Sequence, residues 1–459
     1  MGNIKQLKHL FARAGFGMRL EEMKSYDTVS VKHAVKSLLN NNSDNEPLNI
    51  IQQSPDYNIA VKGGELAKKM FFELELQQNK DLIVAWMNKM IYTDAVLREK
   101  MTLFWHGHFA CRARDAAFGQ QLNNILRTNA LGNFRTMLFA VAKSPAMLHF
   151  LNNQQNLKNH PNENFAREVM ELFTIGRGNY TENDVKESAR AFTGYTFNND
   201  NEFFVRKAVH DDGQKTFLGK TGNFTGEDIM NMLCERKETA YFLCNKLYKC
   251  LVNDTPDPDH VKAMADVFYK ADYEIKPLLE YVFLSDWFYS DKNTGNLIKS
   301  PVEFLVGLSR QFYITYDRPA VLIHFQVALG QMLFNPPNVA GWPGGRNWID
   351  SSSLMYRLEI PSMLLNGGLI DFTGKADPED EAYIAILRNK QQTVNTNVQA
   401  LVDWDKFLSA VPQNISNIEL AQFLLEPKLN TVILNKVNSA TDIKAMVIEL
   451  VSTPEYQLC

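Results

Sequence analysis

Residues 81–109 have the sequence DLIVAWMNKMIYTDAVLREKMTLFWHGHF. Their apolar side chains recur every three or four positions, as in Leu82, Trp86 and Met90, and again from Leu97 onward. This period of 3.6 residues predicts amphipathic helices that bury one face. The same spacing continues through most of the chain, and alternating runs are few. The predicted fold class is therefore mainly α, with one large multi-helix domain.

One segment departs from the helical pattern. Glu202–His210 and Lys215–Leu218 are short runs that flank Asp211, Asp212 and Gly213. An Asp-Gly pair between two short apolar runs is typical of a tight hairpin turn. The sequence therefore predicts one small β-hairpin near residues 202–218.

Changes in composition suggest three parts of the chain. Residues 1–40 are predicted to form an N-terminal helical pair, followed by a stretch rich in Asn, Ser, Asp and Pro that is either a linker or a surface loop. Residues 59–365 are predicted to form the main helical body, including the hairpin. Residues 366–459 are predicted to be a loosely connected loop with C-terminal helices that pack on the body.

Charge and motifs exclude several classes of function. The formal net charge is −4 over 459 residues, so the chain lacks the overall positive charge of a typical nucleic-acid-binding protein. It contains no glycine-rich phosphate-binding loop and no Gly-x-Ser-x-Gly motif. We predict no nucleic-acid partner, and nucleotide hydrolysis and α/β-hydrolase chemistry are disfavoured.

The chain shows no signal for a membrane. No stretch approaches the roughly 20 apolar residues that a membrane-spanning helix needs. The N-terminus, MGNIKQLKHLFARAGFG, lacks the apolar run of a secretory signal. We expect a cytoplasmic protein for the chain as given, and a periplasmic or exported one if the N-terminus has been trimmed.

The motif FWHGHF at 104–109 contains two histidines, His106 and His108, separated by Gly107. Neutral imidazoles are common ligands of divalent metal ions. In an unbroken helix the two rings would lie about 200° apart around the axis, so they could share one ion only if Gly107 ends or bends the helix. The alternative is two packing histidines near a helix C-terminus, where a positive ring is favoured.

The segment PNENFAREVMELFTIG at 161–176 is predicted to be an amphipathic helix. Glu163, Arg167, Glu168 and Glu171 share one side of it. One interpretation is a half-buried helix whose polar face is stabilised by ion pairs four residues apart.

The other interpretation of this face is catalytic. Glu168 and Glu171 lie one turn apart, so they could bind a hard cation or act as acid and base. Arg167 would keep one carboxylate ionised or bind an anionic substrate. Asn162 and Glu163, at the start of the segment, are the candidate substrate-binding residues.

The motif HDDGQK at 210–215 places His210 and Asp211 on the predicted turn, from which side chains can reach into a cleft. A turn by itself explains only Asp212 and Gly213. If the three polar segments converged, they would form a His/carboxylate site for a divalent metal ion. The candidate residues of that site are His106, His108, Glu168, Glu171, His210 and Asp211.

The loop FNPPNVAGWPGGRNWIDSSSL at 334–354 is rich in proline and glycine. Its two tryptophans, Trp342 and Trp348, could form an aromatic platform for a sugar or a peptide. The alternative is a rigid structural loop held in the core by the two tryptophans.

These motifs together resemble a family of uncharacterised bacterial proteins, DUF1800. The likeness covers roughly residues 9–365, and VSTPEYQ near the C-terminus resembles the family's end. The segments that carry it include HLFARAGFG at 9–17, LFWHGHFA at 103–110 and NENFAREVMELFTIGRGNYTENDVKESARAFTGY at 162–195. The resemblance implies no activity, cofactor or catalytic residue. Its members are often encoded beside a DUF1501 protein, itself similar to sulfatases and alkaline phosphatases, so it implies a DUF1501-like candidate partner.

Two functions are consistent with these observations. The first is a metal-dependent, hydrolase-like enzyme. Its metal ligands would be His106, His108, His210 and Asp211, with Glu168, Glu171 and Arg167 as catalytic residues. The second is a non-enzymatic helical scaffold or accessory protein, acting with a partner that handles surface polymers. The sequence leaves open whether the protein is an enzyme.

Overall fold

Helices form most of the chain that the computed structural model describes, namely residues 2–26, 28–41, 46–54, 62–113, 115–367 and 399–459. The first ten α-helices are α1 Gly2–Ala14, α2 Leu20–Tyr26, α3 Val31–Asn40, α4 Gly64–Tyr92, α5 Val96–His108, α6 Ala116–Asn129, α7 Phe134–Lys143, α8 Pro145–Phe150, α9 Asn164–Glu171 and α10 Glu182–Ala191. The next eleven are α11 Gly226–Cys234, α12 Lys237–Leu251, α13 Pro258–Lys270, α14 Ile275–Leu284, α15 Pro301–Gln311, α16 Val321–Ala328, α17 Ser351–Leu365, α18 Trp404–Ala410, α19 Asn417–Leu424, α20 Thr431–Ser439 and α21 Ile443–Val451. The predicted mainly α fold class is confirmed.

Short strands in the described residues form three two-stranded antiparallel sheets. The pairs are β1 Tyr195–Phe197 with β2 Phe203–Val205, β3 Lys215–Phe217 with β4 Lys220–Gly222, and β5 Ile314–Tyr316 with β6 Ala400–Val402. The predicted β-structure within 202–218 is confirmed, but its two strands belong to different hairpins. The turn that closes β3 on β4 is Leu218-Gly219, where both residues have positive φ. Two such residues match the twist of a tight hairpin, so β3 pairs forward along the chain and not back across Asp211–Gly213.

Helices α10 and α15 both begin with a capping box. Thr181 accepts a hydrogen bond from the backbone N–H of Asp184, and the Asp184 carboxylate accepts one in return, which forms a capping box at α10. Ser300 and Glu303 form the same arrangement at α15, with Pro301 in the first turn. Each cap satisfies backbone N–H groups that the helix itself leaves unpaired. The second cap also fixes Glu303 at the start of its helix.

Helix α5 lies in the core and carries buried charges as well as apolar residues. Glu99 accepts hydrogen bonds from Arg127 Nε at 2.6 Å and from Trp86 Nε1 at 2.8 Å. Both Glu99 and Arg127 are almost completely buried. A buried charge is tolerated only when it is paired and hydrogen-bonded. This contact therefore connects the start of α5 to α4 and α6.

One hydrophobic cluster extends through the described chain. It includes Leu7 and Leu10 from α1 as well as Val447 and Leu450 from α21. The first 40 residues contain three helices, and the division into three parts stays a prediction. Within the described ranges, every helix is too short or too polar to cross a membrane.

Candidate functional site

A cleft of ≈ 500 Å³ lies beside the C-terminal half of α5. Helix α12 forms a second wall, the start of α15 a third, and the loop at 340–348 a fourth. The charged side chains that line it are Lys100, Lys246, Lys249, Asp254, Glu303 and Arg346. His108, Trp342 and Trp348 line it as well. Four basic side chains against two acidic ones make this cleft an electropositive site.

Two glycines let the loop lie directly on its neighbours. Gly341 has φ +85°, and a Cβ there would come within 2.5 Å of the Gly107 carbonyl oxygen at the end of α5. Gly345 has φ +62°, and a Cβ there would come within 2.5 Å of Asp254 Oδ1. Only glycine combines that conformation with so close an approach. The loop is therefore held against the helix end, with Trp342 at the cleft.

His106 is a neutral packing histidine. Its Nε2 accepts a hydrogen bond from the backbone N–H of Phe334 at 3.1 Å. The rings of Trp86, Phe334 and Trp342 surround it, with centroids 5.0–5.4 Å away. Burial lowers the pKa of His106 to about 3, so the ring is uncharged near neutral pH. Its role is to connect α5 to the loop that begins at Phe334.

His108 lies in a different environment. Its Nε2 donates to the Phe173 carbonyl oxygen at 3.2 Å, and its Nδ1 accepts a hydrogen bond from Lys246 Nζ at 3.2 Å. Burial, together with the charge of Lys246, holds the pKa of His108 well below its usual range. Helix α5 continues through Gly107, so the two histidine rings lie on different sides of it. They do not share one coordination site.

Arg167 connects two helices through carboxylates. It donates to both carboxylate oxygens of Glu182 at 2.8 Å and to Glu163 at 3.2 Å. These contacts raise the pKa of Arg167, chiefly through the hydrogen bonds to Glu182. Asn162 lies just before, where its side-chain oxygen accepts from the backbone N–H of Asn164 at 3.0 Å. Asn162, Glu163 and Arg167 therefore stabilise the start of α9 and its contact with α10.

Glu168 and Glu171, one turn apart on α9, differ in their partners. Glu171 accepts from Tyr180 at 2.6 Å and from Arg177 at 2.5 Å. The hydrogen bond from Tyr180, more than any other contact, holds the pKa of Glu171 below its ordinary value. Glu168 is half-buried, and burial followed by the charge of Glu171 raises its pKa. Two carboxylates with opposite shifts fulfil one condition for acid and base roles.

His210 and Asp211 are held by Arg190 of α10 and by Thr193, two residues after the end of that helix. Arg190 forms two hydrogen bonds with the Asp211 carboxylate, at 2.7 and 3.2 Å, and these lower the pKa of Asp211. His210 Nδ1 donates to the Thr193 carbonyl oxygen at 2.8 Å. Both side chains therefore fasten the segment before β3 to the end of α10.

The three polar segments meet only in part. His108 contacts the residue two positions after Glu171, Phe173, whereas His106 faces the 334–342 loop and Asp211 faces Arg190. Among the residues that the structure describes, no group of three or more His, Cys, Asp or Glu side chains is placed to hold a metal ion. A metal site therefore stays a prediction from the sequence.

The cleft's basic residues were missed by the sequence analysis. Lys246 and Lys249 lie one turn apart on α12, in the sequence KLYKC, and Arg346 lies between the two tryptophans. Lysine on an amphipathic helix is most often a solvent-exposed residue, so the pattern gives no reason to select these two. Only the grouping around Trp342 and Arg346, an aromatic beside a cation in a rigid loop, was visible in the sequence.

Positive charge continues behind the cleft wall. Lys100 pairs with Glu303; Lys100 is buried and Glu303 is half-buried. Lys299 donates to the Tyr456 carbonyl oxygen at 2.7 Å and lies 3.9 Å from the centre of its ring. Burial lowers the pKa of Lys299 to about 8 and that of Arg357 to about 10. Burial therefore disfavours the charged forms of Lys299 and Arg357.

These features define a class of protein: a mainly helical domain with an electropositive cleft between helices and a rigid aromatic loop. The family described as "Protein of unknown function (DUF1800)" matches residues 9–458, and the chain belongs to that family. No curated protein and no solved structure matches the chain.

Proposed function

We propose that the protein binds an acidic sugar chain in this cleft. The observation that carries the proposal is the convergence of Lys246, Lys249 and Arg346 on one cavity, with Lys100 behind them. Lys100 is paired with Glu303. In the described chain Lys249 and Arg346 have no carboxylate within ion-pair distance, so both are available to a carboxylate or sulfate group. A site of this size fits a few sugar units.

The aromatic residues favour a sugar over a small inorganic anion. Trp342 is half-buried at the cleft, and the centre of its ring lies 5.4 Å from that of His106. An indole face of this kind supplies a large apolar contact beside a polar rim. Trp348 is only 8% exposed and supports the loop from below. The exposed Asn347 adds an amide that can both donate to and accept from sugar hydroxyls.

Calorimetry with defined oligosaccharides tests this proposal. We expect a galacturonate hexasaccharide or a heparin hexasaccharide to bind, and neutral cellohexaose not to bind. Lys249→Glu and Arg346→Glu should each weaken binding about tenfold or more, because each replaces attraction by repulsion. Lys262→Glu, on the exposed face of α13, is the matched control and should bind normally. Equal binding of the neutral chain, or an equal loss in the control, would contradict the proposal.

A metal-dependent hydrolase is the second candidate function. The observation that favours it is Glu168, a half-buried carboxylate with no hydrogen bond to another side chain in the described residues, one turn from Glu171. Metal analysis of protein purified without a histidine tag tests it. Glu168→Gln should remove about one equivalent of a divalent ion. Equal metal content in both proteins would rule out this pair as the metal site.

Binding of an acidic polymer also suits the accessory role. In that case the protein would present or hold a chain for a DUF1501-like partner, as the family resemblance implies. Affinity purification of both proteins expressed together, with and without a galacturonate hexasaccharide, tests the pair. A complex that is independent of the cleft residues would separate the partnership from the cleft.

A further inference from the structure

Lys246 differs from the other basic residues of the cleft in its neighbours. Its Nζ donates to His108 Nδ1 and to the Leu172 carbonyl oxygen, both at 3.2 Å. It also lies 5.0 Å from the centre of the Phe242 ring. All these neighbours are uncharged, and no carboxylate of the described chain forms an ion pair with it. Lys246 is therefore a half-buried amine with uncharged neighbours at the wall of an open cleft.

An amine in these surroundings has a chemistry that an exposed lysine lacks. The neutral amine keeps two N–H groups, so it can still donate to both acceptors. The ammonium form carries a charge in a partly apolar environment, and that burial costs free energy. Burial accordingly lowers the pKa of Lys246 to about 8. A neutral amine in an enclosed site is a nucleophile toward carbonyl carbons. Lys249, one turn further along α12, is exposed and provides an internal comparison.

His108 holds this amine in place. Its Nε2–H donates to the Phe173 carbonyl oxygen, which leaves the lone pair of Nδ1 directed at Lys246 Nζ. A histidine whose second nitrogen is fixed by a backbone carbonyl keeps one tautomer and one ring orientation. His108 is thus a positioning residue for the amine.

We propose that Lys246 is an amine nucleophile that condenses with the carbonyl group of an anionic aldehyde or ketone held in the cleft. The inference rests on the proposed function, because Lys249 and Arg346 would hold the anionic group. The reducing end of an acidic sugar belongs to this class of compound. The Nζ lone pair forms the new bond to the carbonyl carbon. The carbonyl oxygen leaves as water with the two amine protons, so that a C=N bond replaces C=O.

The test is trapping with glyoxylate, an anionic aldehyde, and sodium cyanoborohydride at neutral pH. Hydride from the borohydride reduces the C=N bond and leaves N-carboxymethyl-lysine, which peptide mass spectrometry locates. We expect Lys246 to be modified at least about tenfold faster than Lys249 in the same protein sample. Modification of Lys246 at or below the rate of Lys249 would overturn the inference. Because both rates come from the native chain, no variant needs to fold for this result.

Variants and a second aldehyde separate this inference from the proposed function. Lys246→Arg keeps the charge, so it should still bind the galacturonate hexasaccharide while the adduct disappears. Lys262→Arg, an exposed position outside the cleft, should leave the Lys246 adduct unchanged. If the hexasaccharide binds but Lys246 forms no preferred adduct, the nucleophile inference is wrong while the proposed binding function stands. Equal trapping of glyoxylate and neutral acetaldehyde at Lys246 would overturn its selectivity for anions and contradict the electropositive cleft. If His108 positions the amine, His108→Ala should lose the adduct on Lys246, whereas His108→Asn, which keeps a side chain that can accept a hydrogen bond, should retain it.

Discussion

The two sides of the end of helix α5 differ in chemistry although one residue separates their histidines. On one side, His106 accepts a hydrogen bond from the backbone of Phe334 and is enclosed by aromatic rings. On the other side, His108 accepts from Lys246 at the wall of a cleft. Both rings are neutral because both are buried. Burial alone therefore does not distinguish a packing histidine from a positioning one, and the identity of the hydrogen-bond donor does.

The comparison also shows where function is expected. The His106 side is fastened by a backbone donor and by the close approach of Gly341 to Gly107, which suits a fixed joint. The His108 side carries basic side chains and open volume. Replacements on the first side should mainly change stability, whereas replacements on the second should mainly change binding and reactivity.

The largest effect is expected from His106→Ala. It creates a cavity among aromatic rings and leaves the buried N–H of Phe334 without its acceptor, so we expect the free energy of unfolding to fall by about 3–4 kcal/mol. His108→Ala also leaves a cavity among aromatic rings, but it should cost about 1 kcal/mol less than His106→Ala, because water from the cleft can replace its hydrogen bonds. Urea denaturation of both variants measures the difference. Equal losses would show that the two sides are equally closed.

The second-largest loss of stability is expected where Gly341 lies against Gly107. Gly341→Ala places a methyl group 2.5 Å from the Gly107 carbonyl oxygen at a positive φ, and we expect a loss of about 2–3 kcal/mol. Gly344→Ala is the matched control in the same loop, since a Cβ there meets nothing within 4 Å, and it should change stability by less than about 0.5 kcal/mol. Thermal unfolding compares them. A control that loses as much as Gly341→Ala would mean that flexibility, and not the close approach, matters in this loop.

The free energy of unfolding should fall at acidic pH because the buried His106 ring resists protonation. Its pKa is about 3 in the folded chain and near 6.5 when unfolded, so the unfolded chain binds the proton first as the pH falls. The stability contributed by the neutral ring is complete above about pH 6.5 and declines by about 1 kcal/mol per pH unit below it. In His106→Gln this component should be absent, giving a shallower decline between pH 6.5 and 5. Parallel curves for the two proteins in urea titrations would contradict the assignment.

The sequence predicted the fold class because the helical period is a local property. The spacing of Leu82, Trp86 and Met90, and the cap at Thr181, act within a few residues of themselves. The cleft could not be predicted in the same way, since Lys246 and His108 are 138 positions apart in the chain. Contacts of that range depend on how helices pack, which no spacing rule encodes.

The hairpin and the histidine motif were predictable in part for the same reason. An Asp-Gly pair is a common turn, but the turn observed uses Leu218, a bulky residue with φ +46° that no turn preference favours. The sequence analysis stated that His106 and His108 could share one ion only if Gly107 ends or bends the helix. The helix continues through Gly107, and the two rings accordingly lie on different sides of it. The loop packed on the end of that helix, through Gly341 against Gly107, lies outside the motif and could not be predicted from it.

The smallest expected effect is an increase in stability, and it is expected from a replacement of Lys246 on the His108 side. The folded pKa of Lys246, about 8, lies below its unfolded value near 10.4, so the charged lysine costs stability at pH 7, and the cost disappears as the pH rises through 10.4. Lys246→Met should therefore raise the free energy of unfolding at pH 7 by about 1 kcal/mol, because the relief of the charge cost exceeds the loss of two hydrogen bonds. Near pH 11 only the loss of the hydrogen bonds remains, so the variant should be less stable there by about 2 kcal/mol. Urea denaturation at the two pH values measures this. A residue that lowers stability while lining a cleft is what a stability–activity trade-off predicts. A Lys246→Met variant that is less stable than the parent at pH 7 would instead make this amine a structural partner of His108, and the two sides of α5 would then be alike.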